Sequence, residues 1–402
     1  MTIEYLETGI LYENSRPHIR SRHGYFPGLA VLPSGDLIAL FVISEAFESA
    51  DATTYIARSS DLGKNWSLEG PLRALCSAGT AEVGSTDEES SADGKRALLT
   101  RDHPDAGVPL SDYLKPTVLR DGTVIATGYR FDRHDLEQGI SVEETGGILS
   151  GDDIISFSGD EGKTWTRPQI ILRSRPELYE ISGPCIELQS GDLIAVAAPL
   201  KMPDGRNPSG QVGILLRSRD KGKTWTDNEI FFRAPAGNLT PFESRICEMQ
   251  PGRLVSLVWA YDTVTDRHHP NHIAVSRDSG LTWTEPMNTG HWGQASNLIW
   301  LGGDHLMTIH AYRAADPGIY VRLVDFSGDR WKPVEEKIIF GAGAPLQTQP
   351  GQRMDEMFAS LRFGQPSLLE LPNGEILAAH WTVEDGQGKI RIHRLRVRGQ
   401  AK

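Results

Sequence analysis

Short apolar, β-branched runs alternate along this chain with tight-turn signals, and the alternation repeats. The unit apolar-x-x-Gly-x-apolar occurs as LPSGDL at 32–37, LRDGTV at 119–124, LQSGDL at 188–193, MQPGRL at 249–254, LGGDHL at 301–306 and LPNGEI at 371–376. The fifth copy has Asp304 where the others carry glycine. Runs such as GLAV before the first copy and IALFVI after it read as two strands joined by a tight turn. A second unit follows, as SSDLGKNW at 59–66, SGDEGKTW at 158–165, SRDKGKTW at 218–225 and SRDSGLTW at 276–283. VDFSGDRW at 324–331 keeps Asp325, Gly328 and Trp331 with one residue inserted. The pattern Ser-x-Asp-x-Gly-x-Thr-Trp suits a hairpin tip. Its Asp bonds backbone two residues on, its Gly supplies positive φ, and Thr and Trp open the return strand. These aspartates are expected to be scaffold.

Twenty-six residues separate Gly35 from Asp61, and twenty-nine separate Gly191 from Asp220. That leaves room for the rest of one strand, a loop and a third strand, hence a four-stranded antiparallel unit. Six such units placed radially make an all-β, six-bladed β-propeller. The last unit lacks its own box, while residues 3–13 form an unassigned strand, so the N-terminal strand is expected to complete that blade and close the ring. The whole chain, 1–402, reads as a single propeller domain. Stretches at about 75–112 and 340–362, rich in Gly, Ser, Pro and charge, read as inserted loops.

Composition narrows the partners. Forty-one Lys and Arg against 53 Asp and Glu give a net charge of −12, which argues against broad nucleic-acid or anionic-membrane binding. Cys76, Cys185 and Cys247 have no CxxC spacing and cannot form a disulfide framework. The chain start has no signal-peptide pattern, and no 18-residue apolar run is present, so a cytoplasmic protein is expected. No cofactor is implied, and oligomeric state is left open.

The Ser-x-Asp-x-Gly-x-Thr-Trp units resemble the Asp boxes (BNR repeats) of the sialidase, or neuraminidase, superfamily, and the likeness covers nearly the whole chain. It implies a six-bladed catalytic propeller. Its first blade opens in that family with Phe-Arg-Ile-Pro, whose arginine grips the substrate carboxylate; here Gly24-Tyr25-Phe26-Pro27 puts Tyr25 at that position. The family's Asn-Glu pair in the fourth blade matches Phe242-Glu243, and the arginine that follows it there falls on Trp259. Its Tyr-Ser-Asp nucleophile motif matches Gln365-Pro366-Ser367, its fifth-blade arginine matches Arg313, and its first-blade acidic residue matches Asp51. With Tyr25 and Gln365 at those places, true sialidase activity is not expected.

In a propeller the start of each innermost strand and the loop between strands two and three open on one face. That rule collects Arg22, His23, Tyr25, Glu45 and Asp51 from the first blade, and Lys115, Tyr129, Arg130, Asp132 and His134 from the second. Tyr179, Glu180, Lys201 and Arg206 come from the third, and Glu243, Arg245, Trp259, Tyr261, His268, His269 and His272 from the fourth. Asn297, His310, Tyr312, Arg313, Gln365, His380 and Trp381 complete the mouth. Guanidinium groups suit carboxylates and sulfates, and aromatic faces suit sugar rings. Glycoside hydrolysis calls for two carboxyl groups across the scissile bond. Asp51 and Glu243 are the leading catalytic pair, with Glu45 and Glu180 in reserve. Arg22, His23, Tyr25, Arg130, Arg245, Trp259, Arg313 and Gln365 are the expected substrate contacts. The histidines around Pro270 lack acidic ligand spacing, so no metal site is expected. The leading reading is an exo-glycosidase acting on a small oligosaccharide or glycan with a terminal sugar, an acidic one included. The alternatives are a lyase for a uronic-acid glycan and a non-catalytic propeller that binds glycan or protein.

Overall fold

Each of the six glycine turns joins the first two strands of one antiparallel sheet, and the sheets follow one another around a ring. The structure is a computed structural model that describes residues 1–76, 110–263, 265, 267–345, 347 and 354–399. Strand β1 (Thr2–Tyr12) comes first in the chain. Blade 1 is β2 (His23–Val31), β3 (Leu37–Ser44), β4 (Thr53–Ser59) and β5 (Ser67–Pro71). Blade 2 is β6 (Leu110–Val118), β7 (Val124–Asp132), β10 (Gly151–Ser158) and β11 (Gln169–Ile170), with β8 (Ser141–Val142) and β9 (Gly147–Ile148) forming a small hairpin between them. Blade 3 is β12 (Ile186–Glu187), β13 (Leu193–Ala197), β14 (Gly213–Ser218) and β15 (Thr226–Phe232). Blade 4 is β16 (Leu239–Gln250), β17 (Arg253–Asp262), β19 (His272–Ser276) and β20 (Met287–Asn288), with the short β18 (Arg267–His268) added to β17. Blade 5 is β21 (Ser296–Trp300), β22 (His305–Tyr312), β23 (Gly318–Asp325) and β24 (Lys332–Phe340). Blade 6 is β25 (Phe363–Glu370), β26 (Ile376–Glu384) and β27 (Gln387–Arg398), and β1 pairs with β27 as its outermost strand. The chain start thus closes the ring, as the unassigned strand at 3–13 implied.

Burial follows the blade pattern. Six apolar clusters form, one at each blade-to-blade interface: Ile38, Leu40 and Ile56 meet Leu114, Val124 and Trp165 between blades 1 and 2, and the others repeat the arrangement. The second and third strands are buried on both faces because each blade packs between two others, so β3 reads as a continuous apolar run. Burying each such Leu, Ile or Val contributes about 1.5–3 kcal/mol.

The boxes fasten these interfaces. In the third box Ser218 Oγ accepts the amide of Gly222 at 2.8 Å, Asp220 Oδ1 accepts the amide of Thr224 at 2.8 Å, and Trp225 Nε1 donates to the Gly222 carbonyl at 3.0 Å. The aspartate therefore reaches four residues on rather than two. The residue before the glycine also has positive φ, at Leu62, Glu161, Lys221 and Ser279. That backbone turns a carbonyl toward the preceding blade, where an arginine takes it: Arg58 binds Glu161 O, Arg217 binds Ser279 O and Arg394 binds Leu62 O, all at 2.7–2.8 Å. The fifth glycine turn adds an interblade tie of its own. It runs through Gly302 and Gly303, both at positive φ, which leaves Asp304 free to bind Arg253 of blade 4 at 2.6 Å.

Of the two expected inserts, residues 77–109 lie outside the described residues, as do 346 and 348–353. The second insert is not wholly loop: Met354–Ser360 form a helix, α1, set against the propeller mouth. No helix among the described residues is long and apolar enough to cross a membrane.

Candidate functional site

The innermost strands of blades 1, 4 and 6 are interrupted at corresponding places. Pairing skips between Tyr25 and Gly28, between Phe242 and Arg245, and between Gly364 and Ser367. At each skip one non-glycine residue takes positive φ: Phe26 at 55°, Glu243 at 43° and Gln365 at 34°. A bulge of this kind re-aims a side chain, and left-handed backbone at such residues costs about 1–3 kcal/mol each. All three line one cavity of about 750 Å³ at the centre of the ring.

The cavity floor is ionic. Glu243 is 8% exposed; its Oε1 accepts from Gln365 Nε2 at 2.8 Å, while its Oε2 is buried with no hydrogen-bond partner. Its backbone N–H donates to Glu180 Oε2 at 3.1 Å. Burial first, and the charge of Glu243 second, push the Glu180 carboxyl up to about 8, so it holds its proton to higher pH than a free glutamate does. Three buried cations surround the pair. Arg245 Nη1 donates to Ser182 Oγ and to the carbonyls of Glu243 and Ser244 at 2.8–3.1 Å, clamping the strained turn from behind. Lys115 Nζ donates to the Phe26 carbonyl, and burial followed by repulsion from Arg245 holds its ammonium well below the usual lysine range. Arg313 Nε donates to Phe363 O at 2.9 Å, and burial lowers Arg313 to about 10. Its two Nη nitrogens make no hydrogen bond among the described residues.

Each cation reaches the floor past a glycine. A Cβ on Gly364 would sit 2.0 Å from Arg313 Nη2; on Gly183, 2.9 Å from Arg245 Cδ; on Gly28, 2.9 Å from Lys115 Cδ. Aromatic side chains make the walls: Phe26, Phe47 and Trp381 on one side, Tyr113, Tyr129 and Phe131 on another, and Phe242, Trp259 and Tyr261 on a third. Met357 and Phe358 of α1 close over them, with Phe358 against Phe47 at 5.6 Å between ring centroids.

Of the residues expected from sequence, Glu243, Trp259, Arg313 and Gln365 line this cavity, and Arg245 braces it. The others are elsewhere. Asp51 is exposed, and its Oδ1 accepts from Glu45 N and Ser49 Oγ, so it caps its own loop and is not among the cavity-lining residues. The carboxyl group beside Glu243 is Glu180 instead. Arg22 is exposed. His23 Nδ1 accepts from Gly388 N at 2.6 Å and so ties blade 1 to blade 6. Tyr25 is buried behind Phe26 against Phe47 and Trp381. Arg130 pairs with Asp152 at 3.2 Å within blade 2. The histidines around Pro270 do not converge: His268 stacks on Trp259 and accepts from its Nε1 at 2.9 Å, while His272 Nδ1 bonds Pro270 O.

Residues 150–380 match the family model described as a BNR repeat-like domain. The chain belongs to that family. This BNR repeat-like propeller is also similar to solved structures over nearly its whole length. A Dyadobacter fermentans protein of unknown function superposes with a TM-score of 0.68 at 20% identity, covering 98% of this chain and 99% of that one. The Penicillium chrysogenum alpha-L-arabinanase complexed with arabinobiose gives 0.63 at 14%, covering 99% and 100%. The NanB sialidase from Streptococcus pneumoniae gives 0.61 at 12%, covering 98% and 71%. At these identities the likeness is one of fold. A comparison with curated protein sequences finds no match.

The BNR propeller thus presents two carboxyl groups side by side, one of them with raised proton affinity, with two guanidinium Nη nitrogens that make no hydrogen bond among the described residues facing the same space. Such a floor can donate a proton, accept one and hold an anion. Sequence reasoning missed the Phe26, Phe47 and α1 contributions. Pro27 and Pro366, each directly after a strained residue, are the signals that mark two of the three bulges.

Proposed function

We propose that this protein is a glycoside hydrolase that releases a terminal sugar carrying a carboxylate from an oligosaccharide, with Glu180 as general acid and Glu243 as its carboxylate partner. The observation that carries the reading is the contact of Glu180 with the Glu243 turn on the floor of an aromatic cavity of about 750 Å³, where burial raises the proton affinity of Glu180. Two carboxyl groups whose environments push their proton affinities apart supply an acid and a base in one site. Arg313, whose two Nη nitrogens have no hydrogen-bond partner among the described residues, is suited to the sugar carboxylate in a bidentate fork. The aromatic walls suit the apolar faces of the ring. Two of the structural neighbours bear the names sialidase and arabinanase, which supports a glycan-cleaving class. Sialic acid itself is disfavoured, because Tyr25 and Trp259 stand at the family's arginine positions and Gln365 at its tyrosine. A uronic acid is the better fit.

The test is aglycone release from aryl glycosides of uronic acids, sialic acid, rhamnose and neutral sugars, with Glu180→Gln and Glu243→Gln beside the wild type. Release from a uronide, lost in both variants while they stay folded, supports the assignment. An unsaturated uronate product in place of hydrolysis, or silence across the panel, overturns it.

A further inference from the structure

We infer that a groove on blade 5 is a second sugar subsite, which holds an uncharged sugar unit next to the terminal acidic one. The inference rests on the reading above, in which the acidic sugar fills the central cavity. Trp292 and Tyr312 line that cavity and also a second concavity of about 420 Å³, bounded by β23 and the edge strand β24, so the two spaces adjoin at these side chains. Of the nine tryptophans only Trp292 is exposed, at 46%. A large aromatic face left in water at the junction of two concavities is a ready platform for a sugar ring, since stacking there removes apolar surface from water on both partners.

Charge decides which sugar goes where. Lys201, Arg267 and Arg313 line the central cavity against Glu48, Glu180 and Glu243, with buried Lys115 and Arg245 behind its floor and the proton affinity of Glu180 raised by burial. The outer groove reverses the balance. Asp316, Glu335 and Glu336 line it; Arg322 Nε is bound to Glu336 and its Nη1 to His310 at 3.0 Å, Lys337 pairs with Glu335 at 3.4 Å, and Asp316 has no ion pair among the described residues, which leaves a net negative charge. A carboxylate is therefore repelled from the outer groove and drawn inward, whereas hydroxyl groups can donate to the outer carboxylates. The polarity orients an oligosaccharide with its acidic end inside and its neutral units over Trp292.

Val334 on β24 lines only the outer groove and is 47% exposed, so it can be changed without disturbing the core. The experiment is calorimetric titration of the Glu243→Gln protein with glucuronic acid and with neutral di- and trisaccharides capped by glucuronic acid. The expected result is an affinity about tenfold higher for the capped trisaccharide than for the monosaccharide. Val334→Arg and the uncharged Val334→Trp, each added to Glu243→Gln, are expected to erase that gain and leave the monosaccharide affinity unchanged. A gain that survives both substitutions, or no gain with length while the monosaccharide still binds, overturns the subsite alone. If none of these sugars binds, the acidic-sugar reading fails and the subsite fails with it.

Discussion

Gln365 Nε2 donates to Glu243 Oε1 at 2.8 Å, joining blade 6 to blade 4 across the ring, and both residues hold positive φ to do so. Neither strain nor burial of a carboxylate favours folding in itself. The arrangement persists because six interblade cores fix the strands and Arg245 clamps the Glu243 turn by its carbonyls. Stability made in the walls thus supports a costly floor, the trade expected of a functional site.

That cost is measurable through pH. Glu180 binds its proton more tightly folded than unfolded, its value rising from 4.5 to about 8. Between those values the folded state holds more protons, so this group lowers stability as pH rises. Glu180→Gln should therefore leave the melting temperature near that of wild type at pH 5 and raise it by a few degrees at pH 8.5. Thermal denaturation at the two pH values checks this.

The opposite sign is expected at the ring closure. His380 and His393 stack with Nε2 atoms 3.0 Å apart, and Tyr5 of β1 bonds His393 Nδ1 at 3.0 Å. Burial lowers His380 to about 4 and, with repulsion from His380, lowers His393 further. Neutral histidines are required, so stability is full above their ordinary value near 6.5 and is lost as pH falls below it. His393→Gln should flatten the decline in melting temperature between pH 6.5 and 4.5. An unchanged slope would remove the pair from the account.

Gly364→Ala should imitate loss of Arg313. The added methyl would lie 2.0 Å from Arg313 Nη2 and 3.1 Å from Cζ, so the guanidinium must move. Overpacking of this kind costs about 1–3 kcal/mol. The variant is expected to melt earlier and, on the substrate that wild type cleaves best, to lose at least about tenfold in kcat/KM, close to the loss from Arg313→Met. Steady-state kinetics of the two variants tests the match.

Asp220→Ala should damage the scaffold and spare the chemistry. It removes acceptors for the Thr224 amide, the Thr224 hydroxyl and the Ser218 hydroxyl, at 2.6–2.8 Å. A destabilisation of about 1–3 kcal/mol is expected, with kcat/KM per folded molecule unchanged. Denaturant titration alongside kinetics separates the two effects.

Blade number and ring closure were legible because each blade repeats its own turn chemistry, and glycine turns and boxes announce themselves in any order of reading. The floor was legible only in part. Glu243, Arg313 and Gln365 came from the resemblance, but Asp51 was preferred to Glu180 because chain position tells which loop faces the mouth and not which carboxyl group turns inward. The bulges at Phe26, Glu243 and Gln365 shift register by one residue, and a one-residue shift swaps the faces of a strand. No alternation pattern reports that. Helix α1 escaped for another reason, since a seven-residue helix inside a polar insert is too short to show a period.

The central claim is that Glu180 gives a proton to the leaving group. Its most direct test is kcat/KM against pH for two aryl uronides, one with a poor and one with an activated leaving group, in wild type and Glu180→Gln. The wild-type rate is expected to fall as pH rises through about 8. Glu180→Gln is expected to lose about 10²–10⁴-fold on the poor leaving group and little on the activated one. Equal loss on both substrates, or no loss on either, would contradict it.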